Sequence, residues 1–230
     1  MKLLAIDTSG DACSAALLID GMIEQVFEIA PRRHGERILP MMQNLLERAG
    51  LRVNALDAMA FGCGPGSFTG VRIAAAVIQG AAFGADLPVV PVSTLGALAQ
   101  GQFRRGGQRR LLTALDARMG EVYWGCFEVG EDGLAAPCGE EAVCPPDRVE
   151  LPAGQGWYGV GPGWAAHAAS LTVRVGDALA GVNPDPRCEA RDIVVMAAAQ
   201  WRAGRQVSPE LAAPVYLRDR VTQTSATGAS

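Results

Sequence analysis

Gly62-Cys63-Gly64-Pro65-Gly66-Ser67-Phe68-Thr69-Gly70 follows the apolar run Ala58-Met59-Ala60-Phe61 and leads into Val71-Arg72-Ile73-Ala74-Ala75. A buried strand that enters a glycine loop and continues as a helix is the signature of an α/β sheet. Gly159-Val160-Gly161-Pro162-Gly163 repeats the Gly-x-Gly-Pro-Gly spelling, again before an alanine-rich segment. What precedes the two loops also corresponds. Residues 3–6 form a short apolar strand that stops at the turn formers Asp7-Thr8-Ser9-Gly10-Asp11, and a second strand follows at 13–19. Residues 111–115 stop at Asp116-Ala117-Arg118-Met119-Gly120, and a strand follows at 121–129. This shared order predicts a duplication: two related lobes facing a cleft, each with a mixed sheet that opens in an antiparallel meander.

Working outward, Asp20-Gly21 is a two-residue hairpin signal that turns the second strand into a third at 22–29. Ile38, Met42, Leu45 and Ala49 recur at helical spacing over 36–49, Gly50 stops that helix, and Pro40 is expected in its first turn. A strand at 88–92 and a helix at 93–102, capped by Ser93 or Thr94, come next. Glycine and arginine dominate 102–108, which marks a boundary. The expected division is an N-terminal lobe at 1–103, a second lobe at 108–204 that includes a helix at 191–203, and a C-terminal segment at 205–230 with a frayed end.

The helix at 69–85 is apolar on every side, with Arg72 and Gln79 as its polar exceptions. Such a helix must be covered all round. It is either sandwiched within its own domain or packs one face on the sheet and the other on a partner chain. Arg72, Ala74, Ala75 and Ile78, with Leu39 and Met42 from the preceding helix, are the candidate interface residues.

Of 230 residues, 49% are hydrophobic and 19% charged, with a net charge of −4, which argues against this chain alone as a strong nucleic-acid binder. Arg32, Arg33 and Arg37, and Arg104, Arg105, Arg109 and Arg110, are local basic runs that read first as solvated loops. The six cysteines show no C-x-x-C pair, which fits reduced thiols and a cytoplasmic location. Asp7 interrupts the opening apolar run too early for a signal peptide, and no segment is expected to reach transmembrane length.

The glycine loop has the form of an anion cradle, with Asp7, Thr8, Ser9, Gly64, Gly66, Ser67 and Thr69 as candidate nucleotide- or anion-binding residues. It is neither a P-loop, lacking Gly-Lys-Ser/Thr, nor a Rossmann fingerprint. A tight turn demanded by helix–sheet packing would look the same. Asp116 and Glu140-Glu141 read as turn and solvated residues. His34, at a helix start near the surface, and His167 are the two histidines, and neither has a second ligand at helical spacing. No Gly-x-Ser-x-Gly elbow is present. These patterns name no catalytic residue and no metal ligand.

Leu4-Ala5-Ile6-Asp7-Thr8-Ser9, Gly64-Pro65-Gly66-Ser67-Phe68-Thr69-Gly70-Val71-Arg72-Ile73, Asp116-Ala117-Arg118 through Gly120-Glu121-Val122-Tyr123, and Pro214-Val215-Tyr216-Leu217-Arg218 resemble the TsaB family, also called YeaZ. The resemblance implies an actin/hexokinase-like (ASKHA) fold of two related lobes. It implies a role in forming the threonylcarbamoyl group on the adenosine after the anticodon of tRNAs that read A-starting codons. TsaB is similar to its catalytic paralogue TsaD, whose metal-binding Val-Asn-His-Leu-x-Gly-His segment matches Val92-Ser93-Thr94-Leu95-Gly96-Ala97-Leu98 here. Thr94 and Leu98 replace the two histidines, and neither is an adequate substitute for imidazole. The resemblance therefore implies a non-catalytic scaffold subunit without a metal. It would bind and stabilise a TsaD-like subunit, help recruit a TsaE-like ATPase, pair with itself when alone, and meet tRNA only through the complex, with no membrane involved. No cofactor is expected, and weak binding of ATP or ADP stays open. The alternatives are a phosphotransferase or ATPase that uses Asp7 and the two glycine loops, or a glycoprotease-like peptidase.

Overall fold

The computed structural model describes residues 1–218; the expected frayed end from 222 onward lies outside them. The first lobe runs β1 (Lys2–Asp7), β2 (Ala12–Ile19), β3 (Met22–Ile29), α1 (His34–Arg48), β4 (Ala58–Gly64), α2 (Phe68–Ala85), β5 (Val89–Ser93) and α3 (Thr94–Gly106). The second runs β6 (Arg110–Arg118), β7 (Glu121–Val129), β8 (Ala135–Pro137), β9 (Ala142–Cys144), β10 (Trp157–Val160), α4 (Pro162–Ala166), α5 (Ala168–Val175) and β11 (Leu179–Asn183), and α6 (Ala190–Arg202) follows.

The two sheets have one topology. The first is ordered β3-β2-β1-β4-β5 and the second β8-β7-β6-β10-β11, with β9 also on β7. In each, the opening strand pairs antiparallel with the second and parallel with the strand that leads to the glycine loop. The parallel pairs β4–β5 and β10–β11 need crossovers, which α2 supplies in one lobe and the α4–α5 segment in the other.

Five layers result. Because neighbouring strand residues face opposite ways, Leu4 and Ile6 of β1 pack with Ile38, Leu45, Ala74 and Ile78 beneath α1 and α2. Leu3 and Ala5 instead join Leu95 and Leu98 of α3, Ile193 and Val194 of α6, and Leu111, Phe127 and Val160 of the second sheet. Helices α3 and α6 are thus the filling between the sheets. Trp124, Trp157 and Trp164 form the third cluster, under α4 and α5.

Several boundaries differ from expectation. Helix α1 starts at His34, so Pro40 sits past the first turn, tolerated on an exposed face. Helix α3 continues through the glycine–arginine run to Gly106, and the φ of +73° at Gly107 suits the position that terminates it. Helix α6, expected in the second lobe, lies on the inner face of the first sheet, so the first lobe's core is completed by residues from late in the chain. Asp116 lies inside β6 at a bulge rather than in the turn itself. His34 is buried and its Nε2 lies 3.2 Å from the Ala12 carbonyl, a bond that fixes the start of α1 against β2.

Candidate functional site: the aspartate turn, the glycine loop and the outer face of α2

Strand β1 carries Asp7 to the sheet's C-terminal edge, and β4 brings the glycine loop beside it. Asp7, Thr8, Ser9, Gly64, Gly66 and Ser67 do converge there, and they bond to one another. Ser67 N–H donates to the Ser9 carbonyl at 2.7 Å, and Thr8 Oγ1 donates to the Gly70 carbonyl at 2.7 Å. Ser67 caps α2, its Oγ accepting from Gly70 N–H at 3.4 Å. Thr69 is exposed on the first turn of α2, outside this network.

The glycines are required by contact. A Cβ on Gly70 would stand 1.9 Å from the Thr8 carbonyl oxygen, and one on Gly66 2.6 Å from that of Ser9. Gly64, at φ +113°, would meet the Val215 carbonyl at 2.8 Å. In the second lobe Gly161 (φ +105°) and Gly163 press on the Ala114 backbone in the same manner. Both Gly-x-Gly-Pro-Gly loops therefore clamp a loop or helix start onto the lobe's first strand. Gly70→Ala is expected to cost about 3 kcal/mol, the upper range for overpacking, because backbone meets backbone. Urea unfolding measures it, and a loss below about 0.5 kcal/mol would contradict the packing role.

Asp7 is 1% exposed. Its Oδ2 accepts from Ser9 N–H (3.2 Å) and Ser9 Oγ (3.1 Å), while Oδ1 has no hydrogen-bond partner. Burial, the largest influence, pushes its carboxyl up to about 7. Thr94 Oγ1 donates to the Pro65 carbonyl, and Leu98 is packed in the interlobe core, so both positions serve structure. Among the described residues, no three His, Cys, Asp or Glu side chains are grouped to hold a metal.

Glu141, read from sequence as solvated, reaches from the second lobe to bond Ser93 Oγ, and burial raises its carboxyl above the usual range. No local signal marks that contact. His167 sits at the α4–α5 junction with Nε2 3.7 Å from Asp116 Oδ1. Most of the arginines have intramolecular partners. Arg104 makes a two-pronged pair with the buried Asp192 (2.8 and 2.9 Å), Arg105 bonds Glu189, Arg109 donates to the carbonyls of Val129 and Gly130, and Arg110 pairs with Glu128. Arg37 pairs with Glu28 and Arg33 with Glu36, while Arg32 is exposed.

Helix α2 is covered by its own chain on one side only. Its 18 residues are apolar enough to cross a membrane by length and composition, contrary to the expectation that no segment would be. Here it is the crossover between two paired strands and buries one face on their sheet. Ala74, Ala75 and Ile78, with Met42 of α1, are at most 4% exposed within the chain's own core, so they are not free to meet a partner. The opposite face presents Phe68 (61% exposed), Arg72, Ala76, Gly80 and Phe83 (69%), and Leu39 of α1 is also exposed. Arg72 and Leu39 are thus the expected interface residues that face outward.

Two duplicated mixed sheets around a shared helical layer, each with its glycine loop locked onto the first strand, define an actin/hexokinase-like α/β protein. Residues 25–225 match the family model "TsaD: tRNA N6-adenosine threonylcarbamoyltransferase". The chain is 43% identical to the tRNA threonylcarbamoyladenosine biosynthesis protein TsaB of Escherichia coli K12, over 96% of both chains. It is 39% identical to the TsaB of Haemophilus influenzae, over 96% of this chain and 95% of that one. The solved YeaZ of Pseudomonas aeruginosa superposes with a TM-score of 0.88 at 44% identity, covering 94% of this chain and 99% of that one. The chain belongs to the TsaB family.

Proposed function

We propose that this chain is a non-catalytic subunit in the synthesis of threonylcarbamoyladenosine in tRNA, and that it works by docking the outer face of α2 on a TsaD-like catalytic subunit. The observation that carries this reading is that face: an apolar helix side with Phe68 and Phe83 mostly exposed and small residues between them. Water-exposed apolar surface of this kind is stabilised by burial against a partner, and Ala76 and Gly80 let another helix approach closely. Left alone, the same face pairs two copies of the chain. The docked subunit is stabilised and a TsaE-like ATPase recruited, and tRNA is engaged by the assembly rather than by this chain. The burial of Asp7, with its Oδ2 taken by Ser9, and the internal use of Thr8 and Ser67 support a subunit with no nucleotide chemistry of its own. Its free cysteines fit the reducing cytoplasm.

Reconstituted tRNA modification supplied with an activated threonylcarbamoyl donor, with and without this chain beside TsaD-like and TsaE-like partners, tests the proposal. Product is expected only with all subunits present, and the isolated chain is expected to turn over no ATP. Magnesium-dependent ATP hydrolysis by this chain alone would sink it in favour of the phosphotransferase reading.

A further inference from the structure

The segment from Pro214 to Arg218 leaves the first lobe and ends on the second. Val215 N–H donates to the Cys63 carbonyl at 2.8 Å, and the Val215 carbonyl lies against Gly64, filling the space that a side chain there would need. One residue on, the Tyr216 hydroxyl accepts from Arg72 Nε at 2.7 Å and its ring leans on Phe68, the centroids 6.2 Å apart. The Arg72 guanidinium is 3.4 Å from the centroid of the Phe68 ring, within cation–π range. Two residues further, Arg218 forms an ion pair with Glu121 and lies 3.4 Å from Met119 Sδ, both at the β6–β7 turn of the second lobe. Three residue steps reach at most about 10 Å, so two anchors on one lobe and one on the other leave the segment little slack.

We propose that Pro214–Arg218 is a latch: it ties the glycine loop and first turn of α2 to the β6–β7 turn of the opposite lobe, and the Cys63 carbonyl and Gly64 in that loop are uncovered only when the latch lifts. The anchors divide the work. Val215 makes a strand-like backbone bond to the loop, which depends on Gly64 having no side chain. Tyr216 holds the Arg72–Phe68 pair at the start of α2. Arg218 supplies the tie to the other lobe, and its partner Glu121 belongs to the turn that corresponds, by the duplication, to the aspartate turn of the first lobe. An ion pair that is partly exposed contributes little to global stability. Its rupture therefore opens the latch locally without unfolding the lobes, which is the behaviour a releasable strap needs. The latch shares Phe68 and Arg72 with the docking face proposed above, but its test reads exchange within the chain and does not depend on docking.

Amide hydrogen exchange on the full chain tests it with a charge-swap cycle. Arg218→Glu sets two carboxylates against each other and is expected to speed exchange about tenfold across residues 63–72 and 116–122, with the β1 core amides unchanged. The double replacement Arg218→Glu with Glu121→Arg restores the pair and is expected to return both segments to wild-type rates. Tyr216→Phe, which removes only the acceptor for Arg72, is expected to accelerate residues 67–72 and not 116–122. Unchanged exchange in Arg218→Glu, failure of the swapped pair to restore it, or acceleration that includes β1 to the same degree overturns the latch.

Discussion

Ala76→Arg is expected to abolish docking on a TsaD-like subunit while the monomer stays folded, whereas Ile78→Arg is expected to destroy the fold. The two residues are half a turn apart on one helix and differ in where they point. Ala76 is exposed on the outer face of α2, so an arginine there is solvated in the free chain and becomes a desolvated, unpaired charge only on docking. That cost falls on binding alone: Kd should weaken at least about 100-fold, or about 2.7 kcal/mol, with the melting temperature unchanged. Ile78 is fully buried between α1 and the first sheet, where the same charge has neither room nor partner, and a loss of more than about 4 kcal/mol follows. Light scattering of the mixed subunits and a thermal melt of each variant read both outcomes. Docking that survives Ala76→Arg would remove α2 from the interface.

The second large effect is electrostatic and concerns Asp7→Asn. The folded carboxyl titrates at about 7, while an unfolded aspartate titrates near 4. Between those values the folded state holds a proton that the unfolded chain has released, so more protons are bound when folded and stability falls as pH rises. Below about 4 both states are protonated, and above about 7 both are ionised and the loss is complete. The full swing is on the order of 4 kcal/mol. Asn keeps an oxygen to accept from Ser9 and carries no charge, so the variant should be more stable than the parent at pH 8 and match it at pH 4. Urea unfolding of both proteins at pH 4, 5, 6, 7 and 8 isolates the contribution of this one group. Other raised carboxyls, such as Glu141 and Asp192, are common to both chains and cancel in the difference. Parallel stability curves would show that Asp7 is solvated or paired in solution.

The parts legible in the sequence were those set by local chemistry. Asp20-Gly21 specified the first hairpin, the spacing of Ile38, Met42 and Leu45 specified the buried stripe of α1, and the repeated Gly-x-Gly-Pro-Gly loops exposed the duplication that the sheet orders display. Helix α2 was legible as a helix but not as an oriented one. A segment with apolar residues on every side has no polar stripe to mark its outside, so Ala74 and Ile78 could not be told from Ala76 and Phe83. The position of α6 depends on pairing across more than the length of a lobe, which no window of sequence reports. Glu141 and the latch were missed for a related reason: each contact is made by one polar side chain meeting an element distant in sequence, with no periodicity around it.

The return of α6 to the first sheet also sets when this protein can fold during its synthesis. Leu3, Ala5, Val90 and Val92 face α3 and α6, and α6 ends at Arg202. Until that helix clears the ribosome, the inner face of an otherwise complete sheet has only part of its cover. At about 5–20 residues per second, the roughly 110 residues between β5 and the end of α6 take roughly 5–20 s to be made. For that interval the nascent first lobe presents a half-covered apolar sheet, the kind of surface that holdase chaperones bind. Folding of the first lobe is thus tied to the emergence of α6, and a ribosome that stalls anywhere within β6 to β11 would leave a chaperone client rather than a finished domain.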